Sequence, residues 1–437
     1  MAPYRLPSAA DCALGIDFGT GGARALVIDQ AGQPLADARL ALPQAPDDPR
    51  LPGLWREALL DIVARLPLAL RRRLRTLAID GTSSTCLICD RDNRPLLPPL
   101  LYHDSRAREE AESLRQTAPP DNVVLSPSSS LAKLLWFSRQ PEVAAARYLA
   151  HQADWLAAQL HGRPGISDYH NALKLGYDVA EMRYPAWLTA LPIAPLLPEV
   201  VAPGSDLGPI LPQLARDLAL PRDCRVRAGT TDSIAAFLAS GATRPGDAVT
   251  SLGSTLVLKL LSRTRVEAAR YGVYSHRLGN LWLPGGASNS GGAVLKAFFS
   301  DARLQALSAR IDPSKPSMLD YYPLPGPGER FPLNDPALEP RLSPRPADDA
   351  DFLHGLLEGM ARIEARGYRL LEQLGATKVT RVLSAGGGAR NTAWAAIRQR
   401  HLDVPVTPAP QTEAAYGAAV LAARGEKLLC FRQVSPG

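Results

Sequence analysis

Two α/β domains in series are the fold the sequence predicts, and three observations predict it. The chain has 437 residues, more than one typical core holds, so two domains of about equal size are expected. Strand-like apolar runs alternate with helical patterns from residue 13 to about 240 and again from about 247 to 425, the pattern of layered α/β folds. A hairpin near the start is echoed by a second one at the head of the second stretch. The boundary therefore falls near residue 240, giving domains 1–240 and 241–437, and a cleft between two such domains is a natural ligand site.

The first hairpin is Ala13-Leu-Gly-Ile-Asp17-Phe-Gly19-Thr20-Gly-Gly-Ala-Arg24-Ala-Leu-Val-Ile-Asp29. Its glycines let backbone N–H groups approach phosphate oxygens, Thr20 adds a hydroxyl donor, and Asp17 is suited to a hydrated Mg2+. An ordinary hairpin with a glycine turn and a chance acid fits the same residues. A Pro-rich connector (43–53), a helix from near Trp55 kinked at Pro67, and a strand Thr76-Leu-Ala-Ile-Asp80 running into Gly81-Thr82-Ser83-Ser84 follow. Helices are expected around 104–116, 130–139 and 143–160.

Three constellations carry further chemistry. Val226-Arg-Ala-Gly229-Thr230-Thr231-Asp232-Ser233 reads as strand, turn and helix start, where Asp232 either caps the helix or faces a cleft as a base that takes a proton from an attacking hydroxyl. Val382-Leu-Ser-Ala-Gly386-Gly387-Gly388-Ala389-Arg390-Asn391-Thr-Ala-Trp394 has the same order, and three consecutive glycines before a helix let a flat or anionic group lie on bare backbone, which suits adenosine. Pro99-Leu-Leu-Tyr102-His103-Asp104-Ser105-Arg106 gathers an aromatic, an acid and an arginine, which suits a polyol.

In the second stretch, Ser251-Leu-Gly253-Ser254-Thr255-Leu echoes the hairpin with hydroxyl residues where Asp17 and Thr20 stood; two phosphate-facing hairpins can clamp one nucleotide, and a plain second hairpin fits the same residues. Ten prolines between 312 and 346 predict a long ordered loop or a flexible excursion, before an amphipathic helix from Asp351 to Leu374.

Composition excludes several classes. A content of 46% hydrophobic and 21% charged residues is that of a soluble globular protein, no apolar run is long enough to span a bilayer, and Met1–Ser8 lacks the apolar stretch of a signal peptide, so a cytoplasmic location is expected. The net charge of +6 comes from 42 Arg and 7 Lys scattered along the chain, with Arg71-Arg72-Arg73 at a solvated helix end, so no nucleic-acid partner is expected. Five cysteines, Cys12, Cys86, Cys89, Cys224 and Cys430, are odd in number and widely spaced, which argues for buried thiols in a reducing compartment. The Cys86-Leu-Ile-Cys89 spacing lacks the second pair or the His ligands of a metal site.

Taken together, the motifs resemble the FGGY carbohydrate kinases, of the actin, Hsp70 and hexokinase superfamily. The resemblance spans Gly15 to about Gly425 and rests on Ile16-Asp17-Phe-Gly19-Thr20, Ser128-Ser-Ser130-Leu-Ala-Lys133-Leu-Leu-Trp136-Phe, Gly229-Thr-Thr-Asp232, Gly328-Glu329-Arg330-Phe-Pro332 with Asp335-Pro, Leu357-Glu358-Gly359-Met, and Gly386-Gly-Gly-Ala-Arg-Asn391. It implies two ribonuclease H-like (actin-like ATPase) α/β domains flanking a nucleotide and sugar cleft, with ATP and Mg2+ as cofactors. It further implies that Asp17 and Thr20, with Gly19, face Mg2+ and phosphate, that Asp232 is the general base, and that Gly253, Ser254 and Thr255 approach the transferred phosphoryl group. Gly387, Gly388, Asn391 and Trp394 would border the adenosine, and Ser83, Asp104, Asp232 and Asp17 the sugar.

Two departures bear on substrate. Where typical xylulose kinases carry Gln-Met-His this chain has Ser84-Thr85-Cys86-Leu87, and the usual Trp of a Trp-x-Asp-x-Arg element is Tyr102. In these respects and in length the chain is similar to the short cyanobacterial and plant-plastid branch whose members phosphorylate D-ribulose. The expectation is an ATP-dependent D-ribulose kinase, with D-xylulose kinase or a non-catalytic ATP- and sugar-binding regulator as alternatives, no membrane partner, and a homodimer left open.

Overall fold

The computed structural model describes residues 11–43 and 47–429; Met1–Ser8 and Cys430 lie outside them. The described residues form two compact units, one of 11–239 with 413–429 and one of 240–412. Each is an α/β unit built on a six-stranded mixed sheet.

In the first unit, β1 (Cys12–Gly19) and β2 (Gly22–Ile28) form the antiparallel hairpin, β3 (Pro34–Ala41) extends it, and β4 (Leu74–Gly81) lies parallel to β1. β5 (Cys86–Cys89) pairs antiparallel with β6 (Tyr148–His151), and β7 (Ile166–Asp168) pairs parallel with β8 (Glu199–Val201). β9 (Asp206–Pro209) and β10 (Arg225–Thr231) complete the main sheet in the order β3-β2-β1-β4-β10-β9. β1 is a near-continuous apolar run because both its faces are covered, and its Leu14, Ile16 and Phe18 join one core with Leu77 and Ile79 of β4 and Val226 of β10.

The second unit repeats the plan. β11 (Asp247–Leu252) and β12 (Leu256–Leu260) form its hairpin, β13 (Tyr274–Leu278) and β14 (Leu281–Ser288) extend it, and β15 (Arg381–Ala385) and β16 (Val406–Pro408) run parallel to β11 in the order β13-β14-β12-β11-β15-β16. The weak sequence echo between the hairpins is thus a repeat of topology. Helix Asp349–Gln373 packs on this sheet through Phe352, Leu353, Leu356, Met360 and Ile363, the face its periodicity predicts.

Three segments differ from the sequence expectation. Residues 143–160 are not one helix: Tyr148–His151 is taken into a strand by pairing with β5, and helix Gln152–His161 starts only after it, so tertiary pairing overrides an Ala-rich helical pattern. Arg71 is not simply solvated, since it donates to the carbonyls of Leu66 and Leu218. Helix Ala414–Arg424, expected with residues 241–437, packs in the first unit against β1 and helix Asp232–Ala239. That packing depends on two glycines: a Cβ on Gly15 would lie 2.0 Å from the Ala415 carbonyl oxygen, and one on Gly417 would lie 1.8 Å from that of Ala235.

The Pro-rich segment is an ordered loop with short antiparallel bridges at Tyr322–Arg341 and Glu329–Asp335. Cys12, Cys86, Cys89 and Cys224 are buried thiols, and burial pushes Cys86 up to about 11. No helix among the described residues is long and apolar enough to cross a membrane.

Candidate active site

In the first unit the acids collect at the carboxyl ends of the parallel strands. Asp17 on β1 is in register with Asp80 on β4, and Asp80 with Thr230 on β10, one residue before Thr231 and two before Asp232, which opens the next helix. Asp80 is fully buried, and among the described residues neither carboxyl oxygen has a hydrogen-bond partner. Burial, then the charges of Asp17 and Asp232, push its carboxyl well above the usual range. The half-buried Asp17 is raised by burial and by the charge of Asp232, against the charge of Arg24. In the sequence Asp80 showed only as an acid closing the apolar run Leu-Ala-Ile-Asp80.

Asp232 is half-buried, and its Oδ1 accepts the Ser233 amide at 2.6 Å. It therefore takes part in helix capping and lies among the other acids as well. Gly19 has room for a side chain, its nearest neighbour to a built Cβ being 3.6 Å away, whereas a Cβ on Gly22 would meet the Leu40 carbonyl oxygen at 2.7 Å. Gly22 is thus required by the sheet, while Gly19 and the exposed Thr20 leave open backbone at the turn.

Ser83 and Asp104 sit on two loops of the same unit. Thr82 anchors the first through Gln152, whose Oε1 accepts from both its amide and its hydroxyl at 3.1 Å. In the second, Arg106 grips Asp104 through Nε at 2.9 and 3.0 Å and reaches Asp47 with its other arm. Burial would raise the Asp104 carboxyl, but these bonds outweigh it and hold it below the usual range. Tyr102 is exposed, with its ring edge against His103. Of the departing residues, Ser84, Thr85, Cys86 and Leu87 are all buried, so they shape the first loop from beneath.

In the second unit, Gly253-Ser254-Thr255 is the turn between β11 and β12. The Gly292 and Ala293 amides donate to the carbonyls of Gly253 (2.8 Å) and Ser254 (3.0 Å), fixing the turn against helix Gly292–Phe298. Gly291 takes φ +149°, and a Cβ there would meet the Ser254 carbonyl oxygen at 2.7 Å. Glu329 of the Pro-rich loop supports this region, accepting from Ser288 Oγ (2.6 Å), the Asn289 amide (2.7 Å) and Tyr322 OH (3.0 Å).

After β15, Gly386 adopts φ +80° and turns the chain into a short 3-10 stretch, Gly387–Arg390. Gly387 is exposed with nothing within 4 Å of a built Cβ, while a Cβ on Gly388 would meet the Trp394 ring at 2.5 Å. Asn391 caps helix Thr392–Leu402 by accepting the Trp394 amide at 3.0 Å, and its Nδ2 donates to Ser308. Trp394 is 2% exposed and supports Gly388 from the core. Beneath both turns lies a buried pair: Arg398 donates to both oxygens of Glu364 (2.6 and 2.7 Å) and to Ser384, and Glu364 accepts from Thr250 (2.5 Å). These bonds join β11, β15 and two helices.

Among the described residues, no group of three or more His, Cys, Asp or Glu side chains is placed to hold a metal ion by itself. The donor set nevertheless fits a hydrated divalent cation: Asp17 carries the expected carboxylate, and beside it the two buried carboxyl oxygens of Asp80 have no hydrogen-bond partner among the described residues.

The family model for the FGGY family of carbohydrate kinases, N-terminal domain, matches residues 12–239, and that for the C-terminal domain matches residues 248–426. The chain is 23% identical to a xylulose kinase of Staphylococcus xylosus over 95% of its own length and 91% of that protein. It is 28% identical to a xylulose kinase of Streptomyces coelicolor over 94% and 87%. Among solved structures, a xyloylose kinase from Brucella ovis superposes with a TM-score of 0.83 at 25% identity, covering 96% of this chain and 92% of that one.

Proposed function

The chain belongs to the FGGY family of carbohydrate kinases, and from that premise we propose that it transfers the γ-phosphate of ATP to the terminal hydroxyl of D-ribulose, giving D-ribulose 5-phosphate. The observation that carries the reading is the convergence of Asp17, Asp80 and Asp232 at the strand ends of one unit.

In this reading Asp232 takes the proton from the attacking hydroxyl as general base. Ser83 and Asp104 hold the sugar hydroxyls, with Asp104 kept ionised by Arg106 so that it accepts hydrogen bonds. Gly19 and Thr20, and likewise Gly253, Ser254 and Thr255, present amides and hydroxyls to phosphate oxygens. Gly387, Gly388 and Asn391 border the adenosine, with Trp394 keeping Gly388 in place. Asp17 would hold Mg2+, which when bound neutralises phosphate charge. Most of the work is positioning and charge neutralisation.

Ser84–Leu87 and Tyr102 favour D-ribulose. D-xylulose is the second reading, supported by relatives named xylulose kinase. A regulator that binds ATP and sugar without turnover would not need both Asp17 and Asp232. The test is ADP release with Mg-ATP across D-ribulose, D-xylulose, L-ribulose and glycerol, with Asp232→Ala alongside. D-ribulose turnover lost in the variant is the expected result. Preference for D-xylulose overturns the sugar, and ADP release that no sugar stimulates overturns the kinase reading.

A further inference from the structure

Lys133 is fully buried on helix Ser130–Ser138, whose Leu131, Ala132, Leu134 and Phe137 belong to an apolar core. A buried ammonium is costly and persists where its protons are taken up. Here Nζ donates to the carbonyl of Ser84 at 2.8 Å and to that of Leu101 at 2.7 Å. Neither acceptor belongs to the helix, and each lies in a different loop.

Both acceptors are informative. Ser84 adopts φ +65°, a left-handed conformation that a serine holds only at some cost, immediately after Ser83. Leu101 O also accepts the Asp104 amide at 2.9 Å, closing the turn from which the Asp104 carboxylate projects. One side chain therefore ties the carbonyl beside Ser83 to the carbonyl that shapes the Asp104 turn. Asp104 and Arg106 are the charged groups of the second loop that act on Lys133; Lys174 and Cys86 act on it from other elements.

We propose that Lys133 is a positioning residue for the sugar: its two bonds set the spacing between the Ser83 and Asp104 loops, and so which arrangement of hydroxyls the pair accepts. The proposal rests on the sugar contacts assigned above to Ser83 and Asp104. Methionine at 133 would fill the same volume and make neither bond, freeing the two loops to move apart.

The test compares Lys133→Met with Leu134→Ala, a packing change in the same helix, and with Ser83→Ala and Asp104→Ala. KM values for D-ribulose, D-xylulose and ATP are measured with melting temperatures. A displacement of about 1 Å in a positioned group costs up to about 100-fold in such sites. The expected result is that Lys133→Met raises KM for the preferred sugar about tenfold or more and narrows the preference between the two, with KM for ATP within about twofold. Leu134→Ala is expected to lower the melting temperature and leave the sugar KM in place. If Lys133→Met does not fold, Lys133→Arg, which keeps a cation with a different donor geometry, gives the same split between sugar and ATP.

An unchanged sugar KM in the Lys133 variant, or equal shifts in it and Leu134→Ala, overturns the proposal. A raised sugar KM in Lys133→Met with none in Ser83→Ala or Asp104→Ala instead overturns the assignment of the sugar contacts.

Discussion

Asp17 and Asp80 face each other in the parallel register of β1 and β4, two acids side by side with one of them fully buried and without a donor. A folded-state pKa raised above the unfolded value means that the folded protein holds the proton more tightly. Asp80 thus costs nothing below about pH 4, the unfolded value, and destabilises increasingly as the pH climbs above it.

Asp80→Asn should therefore match the parent near pH 4 and gain on it toward pH 7, by about 1–3 kcal/mol. Urea unfolding without divalent cations, from pH 4 to 8, reads this directly. A gap independent of pH would show that the acid carries no such cost.

Gly387 and Gly388 are neighbours with different reasons to be glycine. A Cβ at 388 meets Trp394 at 2.5 Å and Leu252 at 2.8 Å, while at 387 it meets nothing within 4 Å. Gly388→Ala should lower stability by about 1–3 kcal/mol through overpacking. Gly387→Ala should melt like the parent and raise KM for ATP, because the added methyl occupies bare backbone assigned to adenosine. Melting curves and ATP titrations of the two variants separate packing from binding, and a normal ATP KM in Gly387→Ala would count against that assignment.

The Glu364–Arg398 pair is almost completely enclosed, with side chains 1% and 0% exposed. Removing one partner strands the other charge, so Glu364→Ala should cost about 3–5 kcal/mol. Replacing both with methionine should recover much of that loss. Chemical unfolding of the single and double variants measures it; equal losses in both would locate the effect in packing instead.

The sequence made the frame of both units legible because glycine turns between apolar runs are local signals: the hairpins at Asp17 and Gly253, the turn at Gly386 and helix Asp349–Gln373 all stand close to where periodicity placed them. What it hid depends on distant partners. β6 becomes a strand only because β5 is there, and Gly417 is revealed as a close contact only by the carbonyl of Ala235. Asp80 read as the end of a strand, since nothing local shows that a neighbouring strand brings Asp17 beside it. Lys133 and Glu329 stood inside recognisable motifs, but which carbonyls and hydroxyls they bind follows only from the fold.

Glu358 gives the opposite pH response to Asp80. Its side chain is 1% exposed; it accepts from Arg400 and His401 (2.5 Å), and His354 Nε2 lies 3.3 Å away. Burial would raise its carboxyl, but these partners outweigh that and hold it well below the usual range. A depressed folded pKa contributes stability above the unfolded value, about 4.3, and that stability is lost as the pH falls. Arg400 also donates to the Pro313 carbonyl, and Glu358 accepts the Ser317 amide, so the same cluster ties down the start of the Pro-rich loop. Glu358→Gln should therefore lose about 1–3 kcal/mol at pH 7 and have a shallower acid limb, with the two proteins converging toward pH 3. Unfolding measured from pH 3 to 7 tests this, and parallel curves would show that the charge of Glu358 is not what the cluster stabilises.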